Sequence, residues 1–391
     1  MKELFDTYAS RDNGVLWLKS VLTPRELLNE GKRGFSGAEF EFPTCPAYTR
    51  GVAEAARNGL FGYTLAGDSY REHVRWWMEH VRGFAVDPDW IVTTHGTIFT
   101  LATLIRMLTA PDQGIIVMPP CYNRYQQAAD RLNRPTAKVP LLHTDNGWRI
   151  DLAGLERAMA QPQNRILVLT NPNNPTGTVF PAEELTAVMA LADRYDVTVY
   201  SDEIFAEITP GGKRVPSLCE VSRGPHCVTV TGMGKVFSLT GVNHANVLIP
   251  DAGLRERFIK QRNADHYGSL DPMVHAGLLS AFTQEGADWV GALNAYIRGN
   301  AALVCDTLRR VWPRVKAEVP EGTFVLWVDY TETGMTREQL ESLLTRACFV
   351  GDWGEEYDGS ELCARYSLAL PRAEIADTLD RLEKCLKEKE C

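Results

Sequence analysis

The chain has 391 residues, 45% hydrophobic and 23% charged, and carries a formal net charge of −9. That length fits two domains, or one large domain with a smaller one, and the balance is that of an ordinary soluble globular enzyme. Acidic and basic residues are mixed throughout, which argues against nucleic acid as a partner. No apolar run approaches the ~20 residues of a membrane span.

The opening MKELFDTYAS has no apolar h-region, so it does not read as a secretion signal. Further on, short apolar strands alternate with helical patterns. WIVTTHG (90–96) reads as a strand and TIFTLATLIRML (97–108) as the helix after it. GIIVMPP (114–120) is a strand, and RILVLTNPNNPTG (165–177) is a strand that ends in a turn-rich loop. EELTAVMALADRYD (183–196) is a helix, followed by strands VTVYSDEIF (197–205), HCVTVTG (226–232) and HANVLIP (244–250). Continuously apolar strands between helices predict an α/β fold with a mainly parallel sheet covered on both faces. EGTFVLWVDY (321–330) and LCARYSLAL (362–370) alternate instead, which predicts a smaller α+β domain with antiparallel strands. Nine cysteines lie scattered without a C-x-x-C pair, a pattern of reduced thiols in a cytoplasm with no zinc or other metal site.

Strand ends of a parallel sheet open into one crevice, where ligands bind. Asn174, Asp202 and Lys235 fall at such ends, and Gly96 and Thr97 open a helix directly after a strand. A lysine for a Schiff base, an acid against a pyridinium nitrogen, an amide and a helix N-terminus for a phosphate together suggest pyridoxal 5'-phosphate. Each residue also has a plainer reading. Lys235 on its own would pass for a surface lysine after a strand, Asp202 for a helix cap, and Asn174 for a turn former.

In order, these motifs resemble the fold-type I pyridoxal-phosphate enzymes, the class I/II aminotransferase superfamily. Within it the chain looks most like the bacterial C–S lyases of the cystathionine β-lyase type. The resemblance runs from FEFPTCPA (40–47) through GLFGYTLAGDSY (59–70) to YSLALPR (366–372). It implies a large cofactor domain over 46–285, with residues 1–45 and 286–391 forming the small domain. It also implies that Lys235 carries the cofactor and moves the substrate's Cα proton, Asp202 pairs with the ring nitrogen, and Asn174 bonds the ring oxygen. Tyr122 would stack on the ring, while Arg365 would grip the substrate α-carboxylate near Gly37 and Ala38. Tyr63 would reach the phosphate of a neighbouring subunit, making the enzyme a cytoplasmic homodimer.

Three departures stand out. Asn243 occupies the position of a usual phosphate-binding arginine, Gly232 and Gly234 replace flanking serines, and Phe205 replaces a tyrosine or histidine. Thr231 is then a candidate to supply a hydroxyl to the phosphate. The resemblance implies a β-eliminating lyase acting on L-cysteine thioethers such as cystathionine. A class I/II aminotransferase acting on a small amino-acid substrate and a 2-oxo acid is the alternative, and a diverged regulatory or binding scaffold a third reading. No motif identifies the substrate side chain; residues 10–40 and 350–360 are where its recognition is expected.

Overall fold

The computed structural model describes residues 2–10, 15–145, 147–267 and 269–388. Thirteen strands are found among them: β1 Ile91–Thr94, β2 Gly114–Val117, β3 Thr136–Lys138, β4 Leu142–Thr144, β5 Gly147–Arg149, β6 Asn164–Thr170, β7 Thr198–Asp202, β8 Cys227–Thr231, β9 Ala245–Leu248, β10 Lys316–Ala317, β11 Val325–Asp329, β12 Asp352–Trp353 and β13 Cys363–Ser367.

Seven of them form one sheet in the order β1-β9-β8-β7-β6-β2-β3. β2, β3, β6, β7 and β8 run parallel, while β9 is antiparallel to both β8 and β1. Every residue of β1, β2, β7, β8 and β9 is buried, as strands covered on both faces must be. The expected mainly parallel α/β sheet is therefore present. The expected helices after β1 and before β7 form as Thr97–Leu108 and Ala182–Tyr195.

β10, β11, β13 and β12 make a second, antiparallel sheet in that order. All five residues of β13 are buried, the face that carries Arg365 included. The reason is the N-terminal segment. Phe35 N donates to the Val350 carbonyl at 2.9 Å, Ser367 N to the Phe35 carbonyl at 2.7 Å and Glu41 N to the Ala369 carbonyl at 2.9 Å. Residues 35–41 are thus laced onto the small sheet. Helix Gln284–Val311, 28 residues long, connects the two sheets. No helix among the described residues is long and apolar enough to cross a membrane.

Helices Pro46–Asn58 and Pro272–Ala281 pack closely against each other. Their approach requires glycine: a Cβ on Gly51 would lie 2.1 Å from Ser280 Oγ and 2.8 Å from the Ala276 carbonyl. Gly291, in the connecting helix, has open space around it. Gly51→Ala is expected to destabilise by about 1–3 kcal/mol through overpacking. Gly291→Ala should be neutral or stabilising by up to about 1 kcal/mol. Thermal unfolding of the two variants side by side checks the pair; equal melting temperatures would contradict the packing argument.

Candidate active site

The carboxyl ends of β1, β6, β7 and β8 open into a cavity of about 500 Å³, closed on the far side by residues 37–39 and by β12 and β13. It brings together ten of the residues singled out from the sequence: Gly37, Ala38, Gly96, Thr97, Tyr122, Asn174, Asp202, Lys235, Asn243 and Arg365. Two others are not in it. Thr231 is buried, and its hydroxyl has no hydrogen-bond partner and does not face the cavity. Tyr63 is fully exposed and lies outside the cavity of its own chain.

Lys235 does not end a strand. β8 stops at Thr231, and Lys235 sits in the single helical turn Met233–Val236 that follows. A turn of Leu239 N onto the Gly234 carbonyl at 2.8 Å closes the loop behind it. The Lys235 amine donates to the Ala38 carbonyl at 3.0 Å and lies 5.5 Å from the centre of the Phe205 ring. Desolvation, aided by the positive charge of Arg365, lowers its pKa to about 8. Close packing does not account for the flanking glycines: a Cβ on Gly232 would meet Ala245 and Ile204 at 3.4 Å and one on Gly234 would meet Ile204 at 3.9 Å, both ordinary contacts.

Asp202, at the end of β7, is 3% exposed, and its hydrogen-bond donors are neutral: Tyr125 Oη donates at 2.9 Å and Ile204 N at 3.2 Å. It caps the following turn and faces the cavity at once. Burial raises its pKa to about 6, against the pull of these donors and of Lys235. The adjacent Glu203 points elsewhere and is matched within the protein, accepting from Arg82 Nη2 at 2.6 Å, Leu218 N at 2.8 Å and Ser217 Oγ at 3.1 Å.

Gly96 adopts φ 115° and caps helix Thr97–Leu108 without a side chain over its end, and a Cβ there would meet open space. His95, Gly96, Thr97 and Ile98 line the cavity at that point, so the first N–H groups of the helix are available to an anion. Beside them Tyr70 Oη lies 3.0 Å from His244 Nε2 and donates to Asn246 Oδ1 at 2.8 Å. Burial drives the His244 imidazole down to a pKa of about 3, so it is neutral.

At the opposite end Arg365 is buried. Its Nη1 donates to Asn174 Oδ1 at 2.9 Å, and its Nη2 and Nε donate to Asp352 Oδ2 at 2.5 and 3.2 Å. Gly37 N donates to both Asp352 oxygens, at 3.2 and 3.0 Å, so its N–H faces that side chain. Asp352 and Tyr125 were not foreseen. Tyr125 shares the CYNRY stretch with Tyr122 and could have been tried beside it. Asp352 faces Arg365 only through strand pairing, with no local signal.

These residues fit pyridoxal phosphate. A buried carboxylate with neutral partners suits a protonated pyridine nitrogen, an uncapped helix end suits a phosphate, and a desolvated amine suits an aldehyde. The family model of aminotransferase class I and II matches residues 34–382, and the chain belongs to that family. It is 26% identical over 353 residues to cystathionine beta-lyase PatB of Bacillus subtilis (strain 168), covering 89% of this chain and 91% of that protein. It is 25% identical over 312 residues to Protein MalY of Escherichia coli (strain K12), covering 79% and 80%. Cystalysin from Treponema denticola, whose crystal structure contains a pyridoxal 5'-phosphate cofactor, matches with a TM-score of 0.90 at 26% identity over 98% of this chain and 99% of that one.

Capture of pyridoxal phosphate by the apoprotein should accelerate as pH rises through about 8, because only the neutral Lys235 amine is a nucleophile. Affinity should fall as pH drops through about 6, where Asp202 takes up a proton and loses its charge. Lys235→Ala should not become covalently labelled by the cofactor on borohydride reduction at any pH, whereas the wild type should. A flat capture profile from pH 6 to 9, or reductive labelling of the Lys235→Ala protein equal to the wild type's, would contradict the assignment of these two residues.

Proposed function

We propose that this chain is a pyridoxal-phosphate-dependent C–S β-lyase that converts cystathionine-like L-cysteine thioethers to a thiol, pyruvate and ammonia. The observation that carries the reading is the desolvated Lys235 amine facing the Asp202 carboxylate across a cavity with Arg365 at its other end. The choice of lyase is supported by the full-length similarity to the protein named cystathionine beta-lyase PatB. Asn243, in place of the arginine usual in aminotransferases, adds to it.

Bound in this cavity, pyridoxal phosphate supplies an electron sink that makes an amino acid's α-proton acidic. Asp202 keeps the site favourable to a positive ring nitrogen, and Tyr125 holds the carboxylate in place. Arg365 receives the substrate carboxylate, with Asn174 fixing one side of its guanidinium. Lys235, neutral above about pH 8, is the base that takes the Cα proton. Phe205 offers no hydrogen bond and excludes water beside the amine. A thiolate then leaves Cβ readily because its conjugate acid is comparatively strong.

The reading extends to a homodimer in which Tyr63 completes the neighbour's site. Leu60, Phe61, Tyr63 and Leu65 are exposed in one run, an apolar patch suited to a partner surface. The eight described cysteines are unpaired, in keeping with a cytoplasmic setting.

Incubated with L-cystathionine, the enzyme should release pyruvate and free thiol faster than it forms glutamate from any common amino acid and 2-oxoglutarate. Steady glutamate formation without pyruvate would replace the lyase with an aminotransferase. In light scattering coupled to size exclusion, the holoenzyme should run as a dimer, and Tyr63→Ala should weaken cofactor retention while remaining dimeric. A fully active monomer would end the shared-site model.

A further inference from the structure

The guanidinium expected to receive the substrate carboxylate already holds one. Asp352 stands directly opposite Arg365 in the β12–β13 pair and is 8% exposed. Its Oδ2 accepts from Nε at 3.2 Å and from Nη2 at 2.5 Å, filling that edge of the fork. Asn174 takes a hydrogen of Nη1 at 2.9 Å. A guanidinium has five N–H bonds. Three are committed, which leaves one on each terminal nitrogen.

Asp352 is itself fixed. Both its oxygens accept from Gly37 N, and Tyr357 Oη donates to Oδ2 at 3.4 Å. The Tyr357 ring lies 4.8 Å from the guanidinium and completes the clamp. The carboxylate cannot swing aside without abandoning backbone and side-chain donors together. Glu356, on the same cavity wall, is held above its ordinary pKa by burial first and by the charge of Asp352 next, so that negative charge is felt across this corner.

We propose that Asp352 is a specificity-determining residue: by occupying one edge of Arg365 and offsetting its charge, it makes the cavity hold an α-carboxylate through hydrogen bonds to a neutralised pair and disfavours dianionic 2-oxo acids. The inference rests on the lyase reading. An aminotransferase must bind a 2-oxo acid in every turnover, often a dicarboxylate. A lyase binds only its amino-acid substrate and has no need of an uncompensated cation. Asp352 therefore acts through Arg365, as a positioning residue that also sets the charge.

The test uses the holoenzyme and two probes that lack a leaving group, L-alanine and L-alaninamide, followed by the change in visible cofactor absorbance. The wild type should prefer the carboxylate over the amide by less than about tenfold, well short of what an uncompensated arginine fork provides. Asp352→Asn keeps the shape and removes the charge. It should tighten L-alanine by about tenfold, the worth of one charge-assisted hydrogen bond, and leave L-alaninamide unchanged. On cystathionine it should lower KM with kcat altered by less than about threefold, the split expected when ground-state and transition-state binding change together. Unchanged or weaker L-alanine binding in Asp352→Asn overturns the proposal. Should that variant not fold, a wild-type preference for the carboxylate above tenfold overturns it. If neither probe perturbs the wild-type spectrum, the inference is overturned; if, separately, cystathionine yields no pyruvate, it is the lyase reading that fails.

Discussion

A carboxylate buried with neutral partners is a standing cost, and the site is organised around one. Asp202 ends the central strand of the large sheet, where flanking strands β6 and β8 exclude water from both sides. Tyr125 and the Ile204 N–H soften the desolvation but leave its pKa well above that of a free aspartate. Glu203, one residue on, shows what full satisfaction looks like in the same fold, with Arg82 and three further donors, from Ser201, Ser217 and Leu218, closed around it. The contrast is informative. The protein has an arginine for the acid whose work is structural, and withholds one from the acid that faces the cavity. In the proposed function a cationic ring nitrogen would complete the second where Arg82 completes the first.

The same logic sets Lys235. Its amine lies in the cavity with Asp202, yet its hydrogen bond goes to the Ala38 carbonyl. Desolvation and Arg365 together outweigh the attraction of Glu39 and Asp202, so the amine sheds its proton more easily than a solvated lysine. The N-terminal segment that supplies Ala38 is laced to the small sheet through Phe35 and Glu41, so the lysine's partner is delivered by the other half of the molecule. Closure of the two sheets around the cavity is thus part of the chemistry of the amine.

Much of this was legible in the sequence because it is local. Strand and helix patterns reflect burial on both faces and a 3.6-residue period, and helix Thr97–Leu108 follows its pattern from end to end. Asn174, Asp202 and Lys235 stand out because each follows an apolar strand at a place where polar residues need a reason. The adjacent acids Asp202 and Glu203 look alike in one dimension; only the packing of Arg82 onto Glu203 separates their roles. Asp352 was invisible for a related reason, since its pairing with Arg365 is made across two strands. The secondary structure of Lys235 was also beyond reach: the sequence puts it at a strand end, and nothing local announces the single helical turn Met233–Val236 or the closure of Leu239 onto Gly234 behind it. The proposed recognition stretch at 10–40 lies partly outside the described residues, which omit 11–14.

Both ends of the cavity treat anions in the same restrained way. At the end proposed for the phosphate an asparagine stands at 243, and the imidazole of His244 is neutral, so backbone N–H groups at the helix end would carry the attraction. At the carboxylate end the arginine is present, but Asp352 shares its fork. Dipoles and partly neutralised pairs give direction without a large excess of positive charge. They select by geometry more than by net charge, since a hydrogen bond fails at a wrong angle while Coulomb attraction is tolerant of it. For the proposed reaction, which binds one zwitterionic amino acid and expels a thiolate, this arrangement is an advantage: a strongly cationic cavity would also retain the anionic leaving group.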